Sequence, residues 1–146
     1  MFNRGLFSSV RLDYATPRAF YQALDAEFGF ALDACANKGN AKCANFFSGE
    51  EGLHESWLTP TFMNPPYGRQ IVKWVKRACE QSQQGITVVA LLPSRTDTAW
   101  WQDCVMKANE IRFIRGRLHF DDRGPAPFPS AVVVWRGGLT RTNSIP

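Results

Sequence analysis

The sequence predicts an α/β domain built on a mostly parallel sheet with an antiparallel hairpin at its C-terminal end. Three observations carry this. The run Ile86-Thr87-Val88-Val89-Ala90-Leu91-Leu92-Pro93 is nearly continuous in apolar residues, as expected of a parallel strand covered on both faces. Amphipathic segments of helical period alternate with apolar runs through most of the chain, the pattern of a sheet with helices on both faces. A polar, proline-rich loop from Asp121 to Ser130 precedes the last run, Ala131 to Trp135, and leaves room for the final two strands to pair antiparallel. At 146 residues the chain is one domain, large enough to bury roughly two thirds of its unfolded surface. Residues 1–13 read as an N-terminal arm and 137–146 as a polar tail.

Taken in order, Thr16 fits a helix N-cap, Pro17 the first helical position and Gly29 the C-terminal cap, around apolar positions Phe20, Tyr21, Leu24 and Phe28. Phe30 to Ala36 reads as a buried strand opening into a loop, with Asp33 near its end. Residues 37–61 are irregular and hold at most one short strand. A strand at 61–64 follows. Beyond Gly68, Ile71, Val72, Val75, Ala78 and Cys79 recur at helical spacing. Arg69, Lys73, Lys76 and Arg77 lie largely on the opposite face, which reads as solvated in preference to phosphate-binding. Gly85 ends this helix, and 86–93 should be the centre of the sheet. Asp97 or Thr98 caps a further helix through Trp100, Trp101, Cys104, Val105 and Ala108, with the tryptophan pair expected in the core. Ile111 to Ile114 is a strand that Gly116 breaks.

Composition narrows the function classes. Seventeen basic against 13 acidic residues leave a net charge of +4, which suits a polyanionic partner without demanding one. No apolar run reaches the roughly 18 residues of a membrane span, and the first residues lack the apolar core of a signal peptide, so a cytoplasmic location is expected. Cys35, Cys43, Cys79 and Cys104 form no Cys-x-x-Cys pair; reduced thiols are the expectation and no metal site is assigned. His54 and His119 are isolated and receive no catalytic role.

One stretch is hard to explain by folding alone: Phe62-Met63-Asn64-Pro65-Pro66-Tyr67-Gly68. Two prolines remove two backbone donors and fix two φ angles, so neither a helix nor a central ladder continues through them. Asn64, followed by proline, is pushed toward extended backbone. A stiff shelf carrying one amide and one aromatic ring results. An ordinary Asn-Pro-Pro turn with a buried tyrosine is the alternative. If ligands bind beyond the carboxyl ends of parallel strands, Asp33 and Asn64 share one crevice; a strand-end acid making turn hydrogen bonds is the plainer reading of Asp33.

The shelf resembles the Asn-Pro-Pro-Tyr motif of methyltransferases acting on planar nitrogens. With Tyr14-Ala15-Thr16-Pro17, Leu32-Asp33-Ala34-Cys35-Ala36, Leu53 to Trp57, Leu92 to Thr98 and Gly116 to Phe120, the chain resembles the bacteriophage DNA N6-adenine methyltransferases, small Dam-type enzymes, over roughly residues 14–135. The resemblance implies a compact, truncated, Rossmann-like fold using S-adenosylmethionine to methylate adenine N6 in a DNA substrate within a bacterial host cell, where the family suggests protection from restriction. It implies that Asn64 and the Pro65 carbonyl accept the N–H groups of the target amine, that Pro66 stiffens the shelf, and that Tyr67 stacks on the base. Thr16 and Pro17 match the element closing over the cofactor, Asp33 to Ala36 match the cofactor loop, and Asp33 and Asn64 border the cofactor. Arg95 and Asp97 sit at the open end of the sheet in a DNA-facing position, while Arg117, Arg123 and Phe128 are candidates for contacting phosphate or a displaced base.

The loop after Asp33 has no Gly-x-Gly, so a dinucleotide fingerprint is absent. Glu50 and Glu51 are the available acids for the cofactor's ribose, though each also reads as a surface-loop carboxylate. RNA adenine or a protein glutamine remains open as the acceptor, as does a non-catalytic DNA-binding module.

Overall fold

The computed structural model describes residues 14–36, 39–120 and 124–137. The expected arm, the tail beyond Gly137 and Arg123 lie outside them. The elements are α1 (Arg18–Phe28), β1 (Leu32–Ala36), β2 (Phe46–Ser48), β3 (Thr61–Met63), α2 (Ile71–Gln83), β4 (Val88–Pro93), α3 (Ala99–Asp103), β5 (Glu110–Phe113), β6 (His119–Phe120), β7 (Gly124–Pro125) and β8 (Ser130–Trp135). Six strands form one sheet in the order β2-β1-β3-β4-β8-β5, and β6 and β7 pair separately. Strands β2, β1, β3 and β4 are mutually parallel. Strand β8 runs antiparallel to both β4 and β5, so the C-terminal hairpin is present with β5 at the sheet's edge. β4 is buried along its whole length, as its apolar run requires.

Several boundaries differ from the expectation for local physical reasons. The N-cap of α1 is Pro17, in extended backbone and with no side-chain cap; Thr16 stands one residue ahead of that position, and its hydroxyl accepts from the Asn64 amide. At the other end Gly29 does adopt the left-handed conformation (φ 66°) and donates to the Asp25 carbonyl. In α2, Val72 is exposed and Trp74 is buried instead; at 100° per residue, Trp74 and Val75 share the core side with Ile71 and Ala78, and Val72 turns away. Lys73 and Lys76 face solvent, while Arg77 donates to the Glu55 carbonyl and pairs with Glu80, so this basic face is spent on solvent and local contacts. Thr98, not Asp97, caps α3 by accepting from Trp101 N–H. The helix expected to reach Ala108 stops at Asp103 and gives way to a 3-10 turn over Val105–Lys107, where the Trp135 indole takes the Cys104 carbonyl. Trp100 and Trp101 are buried core residues.

The chain passes from β1 to β2 with no helix among the described residues between them, and β2 leads into a 3-10 turn, Glu51–Leu53. Gly52 in that turn is buried between β1 and α2. The Trp57 indole donates to its carbonyl at 2.7 Å, and the buried Gln81 side chain accepts from Trp57 N–H at 2.9 Å. No helix among the described residues is long and apolar enough to cross a membrane.

A Cβ on Gly52 would overlap the Ala34 carbonyl oxygen and sit 2.9 Å from the fixed Trp74 ring. Gly52→Ala is therefore expected to cost about 1–3 kcal/mol through overpacking, lowering the melting temperature by about 2–4 °C per kcal/mol. Thermal unfolding of the purified variant measures this; an unchanged melting point would mean that the turn yields.

Candidate functional site

Three parallel strands end around one cleft of about 350 Å³, within the size range of small-molecule sites. β1 contributes Asp33, Cys35 and Ala36; the turn after β2 contributes Gly49 and Glu50; the shelf after β3 contributes Asn64 and Pro66. Gln70 and Trp74, from the start of α2, and Tyr14 to Thr16, ahead of α1, complete the wall. The chain leaves β1 outward to β2 and returns to β3 on the other side of β1, so the cleft lies at a reversal of strand order, where open α/β sheets take their ligands. The β1–β2 register shifts between Asp33 and Ala36, an irregularity in the strand that carries Asp33 to the cleft.

Asp33 is 3% exposed. Its carboxylate accepts from Lys42 N–H at 3.1 Å and from Cys35 N–H at 3.4 Å, so the turn bonding expected of a strand-end acid is present on the cleft wall. Burial pushes its pKa up to about 6, against the pull of those two amides and of the Lys42 charge. The fold thus holds a carboxylate that a cation in the cleft would favour in its charged form.

Asn64 is oriented by its neighbours. Its two N–H groups donate to the Tyr14 carbonyl at 2.6 Å and to Thr16 Oγ1 at 2.8 Å. The Tyr14 carbonyl can only accept, so the amide nitrogen must face it. The Asn64 carbonyl accepts from the Tyr67 hydroxyl at 3.0 Å and keeps a second lone pair. Tyr67 is fully buried, its hydroxyl also 3.4 Å from the Leu91 carbonyl; burial holds it as a neutral phenol, with its pKa pushed up. Its ring stacks on Tyr14 with centroids 5.5 Å apart and meets Phe128 edge-on. The open stacking face expected of Tyr67 is therefore covered by Tyr14.

Of the residues singled out in the sequence, Thr16, Asp33, Cys35, Ala36, Asn64 and Pro66 line the cleft. Ala34 does not: it is fully buried in the core, since alternate residues of a strand face opposite ways. Pro17 and Pro65 flank the lining. Arg95, Asp97 and Arg117 are exposed and outside it. The Arg95 guanidinium lies 5.9 Å over the Phe128 ring, and Arg117 donates to the Ala126 carbonyl. Phe128 is buried and packs with Tyr14, Tyr67 and Phe120. Glu50 lines the cleft and Glu51 does not; instead Glu51 accepts from Ser48 N–H. Sequence reasoning missed Tyr14, Lys42, Gln70 and Trp74. Two carried a signal: Trp74, three positions from Ile71 on the buried side of α2, and Tyr14, which opens the Tyr14 to Pro17 run. Gln70 Oε1 is buried and has no hydrogen-bond partner among the described residues.

An open sheet whose parallel strands bring a buried carboxylate and a proline-backed amide to one cleft defines an α/β protein with a cleft at the carboxyl ends of its strands. Within that class the chain belongs to the DNA N-6-adenine-methyltransferase (Dam) family, which its sequence matches over residues 5–132. It is 33% identical over 120 residues to the DNA N-6-adenine-methyltransferase of Escherichia phage T1, covering 80% of this chain and 50% of that protein. It is 37% identical over 106 residues to the enzyme of the same name from Haemophilus phage HP1 (strain HP1c1), covering 69% of this chain and 61% of that protein. The chain therefore spans about half to three fifths of these relatives.

With its pKa near 6 in the fold and 3.8 in solvent, Asp33 binds more proton when folded than unfolded between those values. Its contribution to stability therefore falls as pH rises through that window and levels off above it. At about 1.36 kcal/mol per pKa unit, full ionisation costs about 3 kcal/mol. Asp33→Asn escapes this cost, so urea unfolding at pH 4 and pH 7.5 should show the variant gaining on the native protein by up to that amount at the higher pH. A difference independent of pH would contradict the burial of an ionisable group.

Proposed function

We propose that the protein transfers a methyl group from S-adenosylmethionine to the exocyclic N6 of adenine in DNA, on a single Rossmann-like methyltransferase domain. The observation that carries this reading is the Asn64 amide, locked with its carbonyl accepting, on the same cleft as the buried Asp33. The names of the two phage relatives point the same way, and phage encoding would have the protein act on DNA in the cytoplasm of a bacterial host.

The cleft's donor set fits the cofactor. Asp33, raised by burial, suits the ammonium of an amino acid. Glu50, exposed at the end of β2, suits a ribose diol. The buried Gln70 Oε1, without a partner among the described residues, is an acceptor for an amine, and Phe62 and Trp74 supply apolar surface. Bound there, S-adenosylmethionine supplies a methyl on a sulfonium, a good enough leaving group that no covalent nucleophile from the protein is needed.

The protein's part is then mostly positioning and electrostatics. An aromatic amine is a poor nucleophile because its lone pair is delocalised into the ring. The free lone pair of Asn64 Oδ1 and the Pro65 carbonyl accept its two N–H groups, which favours the positive charge that develops on nitrogen as it attacks, and the methylated nitrogen then releases one proton to solvent. Thr16 and the Tyr14 carbonyl keep the amide from turning over, and Tyr67 holds it from the other side. The paired adenine amine is inaccessible inside a duplex, so the base leaves the stack to reach this shelf. Arg95 and Arg117 lie exposed on the outer side of the aromatic cluster, where they meet the phosphate backbone.

Incubation with adenine-containing DNA and labelled S-adenosylmethionine, followed by nucleoside mass analysis, should yield N6-methyladenine. Label appearing in RNA or protein instead, or no transfer at all, would remove this reading. Asn64→Ala should lower turnover by about 100-fold or more, as loss of a transition-state hydrogen-bond partner does, while cofactor binding measured by calorimetry persists. Asp33→Ala should do the reverse and weaken cofactor binding first. In the native protein, cofactor affinity should fall as pH drops below about 6, where Asp33 takes up a proton.

A further inference from the structure

The ring of Tyr14 lies in an unusual place. It is 6% exposed and boxed by aromatic side chains: stacked on Tyr67 at 5.5 Å with 26° between planes, tilted against Phe120 at 5.0 Å, and edge-on to Phe128 at 5.3 Å. Its own carbonyl accepts from Asn64, and the same residue borders the cleft. An aromatic box of this kind, beside an amide with a spare acceptor position, suits any flat ring carrying an amine. In this structure the flat ring is the protein's own.

We propose that Tyr14 fills the acceptor-base slot of the free protein and acts as its gate, its side chain leaving when the target base enters. The inference rests on the methyl-transfer reading of Asn64. Residues 14–17 lie in no helix or strand, so the ring swings by rotation about its own side-chain bonds without unravelling an element. The backbone need not follow, because the bond from Asn64 is to the Tyr14 carbonyl and survives the swing. The departing ring uncovers the face of Tyr67 and the edge of Phe128, two surfaces on which a purine stacks. The box therefore stays filled and dry without substrate. The cost is affinity: a base binds only the fraction of molecules in which the ring is out, and apparent affinity falls by that fraction.

Deoxyadenosine monophosphate is the probe, in the presence of excess S-adenosylhomocysteine to keep it out of the cofactor cleft. Tyr14→Ala should bind it about tenfold or more tightly than the native protein, the factor expected when the closed state dominates, and adding Asn64→Ala should erase the gain. Equal affinity in the native and Tyr14→Ala proteins, or no binding by a folded Tyr14→Ala protein, overturns the gate. Should the alanine variant fail to fold, the native protein labelled with 3-fluorotyrosine decides. The chain has three tyrosines, so the Tyr14 fluorine resonance is assigned with Tyr14→Phe. It should move toward the position of solvent-exposed tyrosine as the nucleotide is added; a resonance unmoved up to the solubility limit overturns the proposal. Nucleoside mass analysis keeps the two readings apart. Methylation of DNA with a stationary Tyr14 ends the gate alone; a mobile Tyr14 without methylation ends the methyl-transfer reading, and the gate's role in it with it.

Discussion

The Asn64 side chain is the interaction on which the rest of the site depends. One amide ties together three parts of the chain that are distant in sequence: the segment before α1 through Tyr14 and Thr16, the end of β3 through its own backbone, and Tyr67, whose hydroxyl also approaches β4 at Leu91. Removing the side chain would leave a buried carbonyl, a hydroxyl and a phenol without their shared partner, and a stranded buried polar group costs more than a made bond contributes. Thr16 stands one residue ahead of the Pro17 N-cap, and its hydroxyl accepts from this amide in place of a helix-end N–H.

Around that amide the sheet is economical. The run from β1 to β2 is short and carries no described helix, so β1 is flanked early by β2 and then by β3, and all three strand ends converge on one opening. Close packing makes this possible: Gly52 lets the turn after β2 lie against the Ala34 backbone and the Trp74 ring. That contact carries Gly49 and Glu50 to the cleft's edge. Trp57 and Gln81 fasten the same turn from behind.

Two carboxylates border the opening under different conditions. Asp33 is sealed from solvent and held by two backbone amides, so its charge is expensive and sensitive to what enters the cleft. Glu50 is exposed and screened by water. The network at the far edge of the sheet follows another logic. Arg112 holds Glu27 through two short bonds and Glu110 through two more, lowering both carboxyl pKa values. It ties the end of α1 to β5 and has no part in the cleft.

The sequence alone was enough to identify the strands of the main sheet, the presence of the helices, the αL turn at Gly29 and the rigidity of the Asn-Pro-Pro run, because these follow from period, glycine and proline within a few residues; the small β6–β7 pair, set inside a polar loop, carried no such signal. It also brought Asp33 and Asn64 together, through the general rule for ligands at strand ends. Tertiary structure decided what period and propensity do not encode: which of two competing partners a side chain takes, and which face of a ring is covered. Thr16 as an amide clamp, Ala34 in the core beside Asp33 on the cleft, the early end of α3 and the Tyr14 ring on Tyr67 all depend on contacts between residues far apart in the chain. Such contacts are settled by packing, and packing exists only once the elements have met.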